Sequence, residues 1–105
     1  MVKNFLNDLP GKQPEEFFED IIKGKNFRLE RIVSDGHSSP PDFWYDQDQN
    51  EFVLLLSGSA QLEFQDNTVV NLTPGDSIDI KAHSKHRVSS TSPSGKTVWL
   101  AIFYE

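Results

Sequence analysis

From residue 27 onward the apolar and polar positions of this chain change sides every second residue. Ala60, Leu62 and Phe64 alternate with Gln61, Glu63 and Gln65, and Ile78 and Ile80 alternate with Ser77 and Asp79. A period of two marks a strand buried on one face. Glu51 to Leu56 is a continuous apolar strand with a carboxylate at its start, and Thr97 to Tyr104 is a long final strand. Phe27 to Val33 reads as a strand with Phe27, Leu29 and Arg31 on one side and Arg28, Glu30 and Ile32 on the other. Phe43 to Tyr45 and Thr68 to Leu72 are shorter strands, and Val88 belongs to a later one. Ser34-Asp-Gly36, Ser38-Ser-Pro-Pro41, Asp66-Asn67, Thr73-Pro-Gly75 and Thr91-Ser-Pro-Ser-Gly95 break the runs, and Ser57-Gly58 is a hairpin signal. Short strands with frequent turns predict an all-β sandwich or barrel.

Before residue 26 the pattern differs. Residues 1–12 read as a loose lead-in with a turn at Asp8-Leu-Pro-Gly11. Pro14 to Lys23 predicts a short helix. Pro14 suits a first helical turn, Glu15 and Glu16 favour a helix N-terminus, and Gly24 is a stop. Phe17, Phe18, Ile21 and Ile22 form its apolar stripe, expected to pack on the domain.

Composition narrows the function classes. One hundred and five residues predict one domain, with residues 1–25 as lead-in and helix and 26–105 as the barrel. The formal net charge of -6 disfavours a nucleic-acid partner, whose phosphates call for Lys and Arg. No cysteine is present, which excludes disulfides and Cys-type zinc sites. No apolar run approaches the ~18 residues of a membrane span, and no signal-peptide run precedes the strands. The expected location is cytoplasmic, with no membrane partner.

Two stretches carry the chemistry. Glu51 lies seven residues before Gly58, and Leu72-Thr-Pro-Gly-Asp76 precedes His86. These stretches resemble the two motifs of the cupin family, with Gly75 opening the second. The resemblance spans residues 27–104 and implies a conserved jelly-roll barrel (a double-stranded β-helix), a metal site inside it and a homodimer. Where the family carries two histidines before the glutamate, this chain has Tyr45 and Gln47. Lys81, His83 and Ser90 stand at the second motif's proline, glycine and asparagine positions. Only Glu51 and His86 match family ligands.

Read as donors, Glu51 offers a hard oxygen, His86 a nitrogen and Gln47 an amide oxygen. His83, in the turn before His86, supplies a second imidazole if that turn curls inward. His86 shares its parity with Ile78, Ile80 and Val88, which predicts an inward side chain. Tyr45 is the candidate proton donor. The alternative is a hydrogen-bonded cluster, with Glu51 paired to Gln47, Tyr45 or Arg87. Lys81, Lys85 and Arg87 form a small basic run, either solvated or drawing an anionic ligand to the barrel mouth. His37 reads as a surface loop residue. Two functions follow. One is a small-molecule protein with a divalent metal (zinc, iron, nickel or manganese), no organic cofactor, and Lewis-acid isomerase, decarboxylase or hydrolase chemistry rather than dioxygenase chemistry. The other is a metal-free module that binds or senses a small ligand.

Overall fold

The computed structural model describes residues 2–105, and its regular structure is all β. The strands are β1 (Phe17–Lys23), β2 (Phe27–Ser34), β3 (Asn50–Ser57), β4 (Ala60–Phe64), β5 (Val69–Leu72), β6 (Ser77–Ile80), β7 (His86–Thr91) and β8 (Thr97–Tyr104). They pair antiparallel into a five-stranded sheet of order β1-β2-β8-β3-β6 and a three-stranded sheet of order β5-β4-β7. The apolar positions that alternate in the sequence face each other across the gap. Ile32, Val53, Leu55 and Trp99 from the larger sheet pack with Leu62, Leu72 and Val88 from the smaller one. This is the expected jelly-roll barrel. No helix among the described residues is long and apolar enough to cross a membrane.

The helix expected over Pro14 to Lys23 is absent; residues 17–23 are the edge strand β1. A stripe of two Phe and two Ile over six residues fits either period. An isolated helix of ten residues is marginal in water, whereas β-branched and aromatic residues suit a half-buried sheet. The free edge of β2 decides the outcome by offering a full ladder, from Phe17 opposite Val33 to Lys23 opposite Arg28. An irregularity between Asp20 and Ile22 breaks the register. Arg31, almost fully buried, pairs across the strands with Glu19 at 2.7 Å. The same guanidinium donates to the carbonyls of Phe5 (3.2 Å) and Asn7 (2.9 Å), so part of the supposedly loose lead-in is fastened to the sheet.

Ser57-Gly58 is not a hairpin turn, because β3 and β4 belong to different sheets. The turn carries the chain from one sheet to the other. Gly58 adopts φ +89, and a Cβ there would lie 2.7 Å from the Thr97 Cα and 2.9 Å from the Lys96 carbonyl oxygen. Gly75, in the turn between β5 and β6, has φ +93 but nothing within 4 Å of such a Cβ. Phe43 to Tyr45 forms a single bridge, Tyr45 to His86, rather than a strand.

These two glycines separate backbone strain from steric overlap. Gly75→Ala is expected to destabilise by about 1–2 kcal/mol, the left-handed penalty alone. Gly58→Ala is expected to exceed it by at least about 2 kcal/mol, because backbone atoms block the methyl. Urea denaturation of both variants checks this; equal losses would contradict it.

Candidate functional site

The two inward-facing groups singled out in the sequence meet inside the barrel. Glu51 is the second residue of β3 in the larger sheet, opposite Ile80 on one side and Phe103 on the other. His86 opens β7 in the smaller sheet. Their side chains converge, with His86 Nε2 3.5 Å from Glu51 Oε1. Both residues are buried, at 7% and 5% exposure for Glu51 and His86. The His86 Nδ1–H donates to the Ser84 carbonyl at 2.8 Å, which directs Nε2 toward Glu51. At 3.5 Å the pair is coupled by charge more than by a formed hydrogen bond. Glu51 Oε1 has no hydrogen-bond partner.

A cavity of about 60 Å³ adjoins the pair, room for a few waters or a small molecular fragment. Its walls are mostly apolar, including Val53, Leu62, Trp99 and Phe103, and its polar lining is Glu16, Tyr45, Gln47, Glu51 and His86. Tyr45 is placed by the backbone. Its N–H donates to the His86 carbonyl at 2.7 Å, and the His86 N–H returns to the Tyr45 carbonyl at 3.2 Å. The Tyr45 ring stacks beside the imidazole with centroids 5.5 Å apart, and Phe64 lies on the imidazole at 5.8 Å.

Burial and charge set the protonation of these groups. Burial pushes the Tyr45 phenol up to about 12, helped by the negative fields of Glu16 and Glu51, so it remains a proton donor. Burial lowers the pKa of His86, but the Glu51 carboxylate and the Ser84 carbonyl together outweigh it, and the net shift is upward. Glu16 is raised by burial and by Glu51, against the pull of its hydrogen bond from Ser34 and of His37.

Glu16 was missed in the sequence because it was read as part of a helix. As the residue preceding an edge strand it lines the cavity, where its carboxylate accepts from the Ser34 hydroxyl. Ser34 in turn accepts from the Trp99 indole N–H at 3.1 Å. His37 is half-buried rather than a free surface residue. Its Nδ1 accepts from the Asp35 N–H at 2.9 Å and its Nε2 meets the Gln13 carbonyl at 2.7 Å, tying the segment before Glu16 in place.

His83 does not join the cavity. It takes φ +63, donates its backbone N–H to the Gln47 carbonyl at 2.8 Å, and sends its exposed ring to Asp46 at 2.8 Å. Lys81, Lys85 and Arg87 do not line the cavity either. Lys81 pairs with Asp79 at 2.9 Å, and Arg87 donates to the Ser39 carbonyl at 3.0 Å and faces Glu63 at 3.6 Å.

The cupin-domain family matches residues 30–103. The chain belongs to the cupin family. This cupin is 40% identical to a Ralstonia eutropha JMP134 protein provisionally named a mannose-6-phosphate isomerase, over 100% of this chain and 98% of that one, with a TM-score of 0.95. More distant structures share the fold alone. A cupin superfamily protein from Desulfitobacterium hafniense DCB-2 is 18% identical over 91% of this chain and 83% of its own, with a TM-score of 0.74. The polyketide cyclase RemF from Streptomyces resistomycificus is 21% identical over 87% of this chain and 66% of its own, with a TM-score of 0.73. No curated protein matches this cupin.

The donor set of this cupin does not complete the metal site that its family implies. A catalytic metal of this kind takes three protein ligands. Among the described residues no three His, Cys, Asp or Glu side chains converge in a metal-binding arrangement. Glu51 and His86 are two strong donors. Gln47 adds a weaker amide, Tyr45 is held protonated, and Glu16 is engaged by Ser34.

Removing one member of a buried charged pair strands the other, at a cost of about 3–5 kcal/mol. His86→Leu is therefore expected to destabilise by about 3 kcal/mol, and Glu51→Leu/His86→Leu to recover most of that loss. Urea denaturation of the two single variants, His86→Leu and Glu51→Leu, and of the double variant is the check. A double variant as unstable as the sum of its singles would show that the pair is not coupled.

Proposed function

We propose that this cupin binds a small hydroxy-carbonyl compound and moves a proton on it without a resident metal. The carrying observation is the buried Glu51–His86 pair, joined at 3.5 Å without a formed hydrogen bond to Glu51 Oε1, beside a mainly apolar cavity that both residues line. Buried polar atoms without partners are costly, and retaining one beside a cavity points to a ligand that satisfies it. Glu51 is the base. A C–H bond next to the ligand's carbonyl breaks, the proton passes to the carboxylate, and the electron pair moves to the carbonyl oxygen. The Tyr45 phenol and Nε2–H of the His86 imidazolium donate hydrogen bonds to that oxygen, where the negative charge develops. Return of the proton to the former carbonyl carbon completes an isomerisation, as the ligand's hydroxyl proton is lost to make the new carbonyl and the former carbonyl oxygen takes up a proton. Gln47 orients the ligand. The isomerase name of the Ralstonia relative supports this class of reaction at the level of proton movement between adjacent carbons.

The metal reading retains one favourable observation, the convergence of Glu51 and His86 at 3.5 Å. With Gln47 and solvent the pair would hold zinc, iron, nickel or manganese weakly.

Incubation with dihydroxyacetone in D₂O, followed by proton NMR, separates the two. Protein treated with EDTA is expected to catalyse deuterium incorporation beside the carbonyl. Glu51→Gln is expected to lose about 10²–10⁴-fold in rate, and Tyr45→Phe a smaller factor. Exchange that appears only after added zinc, iron, nickel or manganese would favour the metal. No exchange in any form would sink the proton-transfer proposal.

A further inference from the structure

The ionisable groups that line the cavity are Glu16, Tyr45, Glu51 and His86, with no Lys or Arg among them. Recognition of phosphate or carboxylate depends on guanidinium forks, ammonium groups, imidazolium rings or helix N-termini, and the one imidazole here, His86, is already directed to the Ser84 carbonyl and to Glu51. The fold supplies no helix here, and Lys81 and Arg87 are committed to Asp79, Ser39 and Glu63 outside the cavity. An anion entering this space would face two carboxyl groups across a medium of low polarisability, where like charges repel strongly. Glu51 Oε1 is a buried acceptor that faces His86 Nε2 at 3.5 Å and accepts no formed hydrogen bond. Its requirement is for a hydroxyl or an N–H, which an uncharged ligand can bring.

We infer that the pocket takes an uncharged hydroxy-carbonyl compound of about triose size and excludes its phosphorylated counterpart. The inference rests on the pocket reading above and specifies its ligand. Size follows from the cavity of about 60 Å³, which accommodates a few heavy atoms with the remainder at the mouth. The apolar walls receive the carbon chain, Glu16 and Glu51 accept from hydroxyls, and Tyr45 donates to the carbonyl. Phe18, half exposed on β1, forms part of the rim and marks where a phosphate would need a cation.

The test uses dihydroxyacetone and dihydroxyacetone phosphate as probes, titrated separately into isotope-labelled protein at constant ionic strength. The Trp99 indole and His86 ring resonances report occupation of the cavity. Dihydroxyacetone is expected to shift both, and the phosphate to bind at least about tenfold more weakly. Phe18→Arg is expected to narrow that ratio by strengthening phosphate binding alone. Phosphate binding as tight as dihydroxyacetone binding in the wild type, at the same resonances, would overturn the inference and leave the pocket reading standing. Shifts from neither probe would overturn both.

Discussion

A carboxylate inside an apolar barrel has to be answered by something, and Glu51 is answered chiefly by His86. The pair spans the two sheets, since β3 belongs to the larger and β7 to the smaller. Its geometry therefore depends on the whole barrel closing correctly. In turn the Ser84 carbonyl fixes the imidazole, and the backbone bridge to Tyr45 places the phenol beside it. The answer is incomplete, because Glu51 Oε1 lacks a hydrogen bond. A fully satisfied pair would be a structural brace; this one has spare capacity facing a cavity.

The second carboxyl gives the cavity its character. Glu16 arrives from the chain just before β1, held by Ser34, which is itself held by Trp99. Burial first, and then its field and that of Glu51, keep Tyr45 protonated. Two acids, one imidazole and one phenol without a Lys or Arg make a site suited to holding and moving protons on uncharged compounds. Where the family resemblance implies a metal, Tyr45 and Gln47 replace nitrogen donors with groups that donate hydrogen bonds or bind metals poorly.

Much of the barrel was legible from the two-residue period, because Ala60, Leu62, Ile78, Ile80 and Val88 each have one face to bury. The same parity argument placed His86 inward, and the structure buries it. The sequence was ambiguous where a pattern fits two periods. Phe17, Phe18, Ile21 and Ile22 satisfy a helix stripe and a strand equally, and only the open edge of β2 settles the matter. That one misreading hid Glu16. Partner choice was also illegible: Ser57-Gly58 has hairpin chemistry but joins strands of different sheets. The direction of His83 depends on a left-handed backbone at a residue that is not glycine, which spacing cannot reveal.

The central claim is that Glu51 and His86 share charge across the barrel. An NMR pH titration of the His86 ring in the wild type and in Glu51→Gln tests it most directly. The account predicts a wild-type imidazole pKa above the ordinary histidine value of about 6.5 and a fall in the variant, where the opposing carboxylate charge is gone while burial persists. Sign follows from linkage: the His86 contribution to stability is fully present below about pH 6.5 and is lost as pH rises through the folded-state pKa. An imidazole that titrates identically in both proteins would contradict the account.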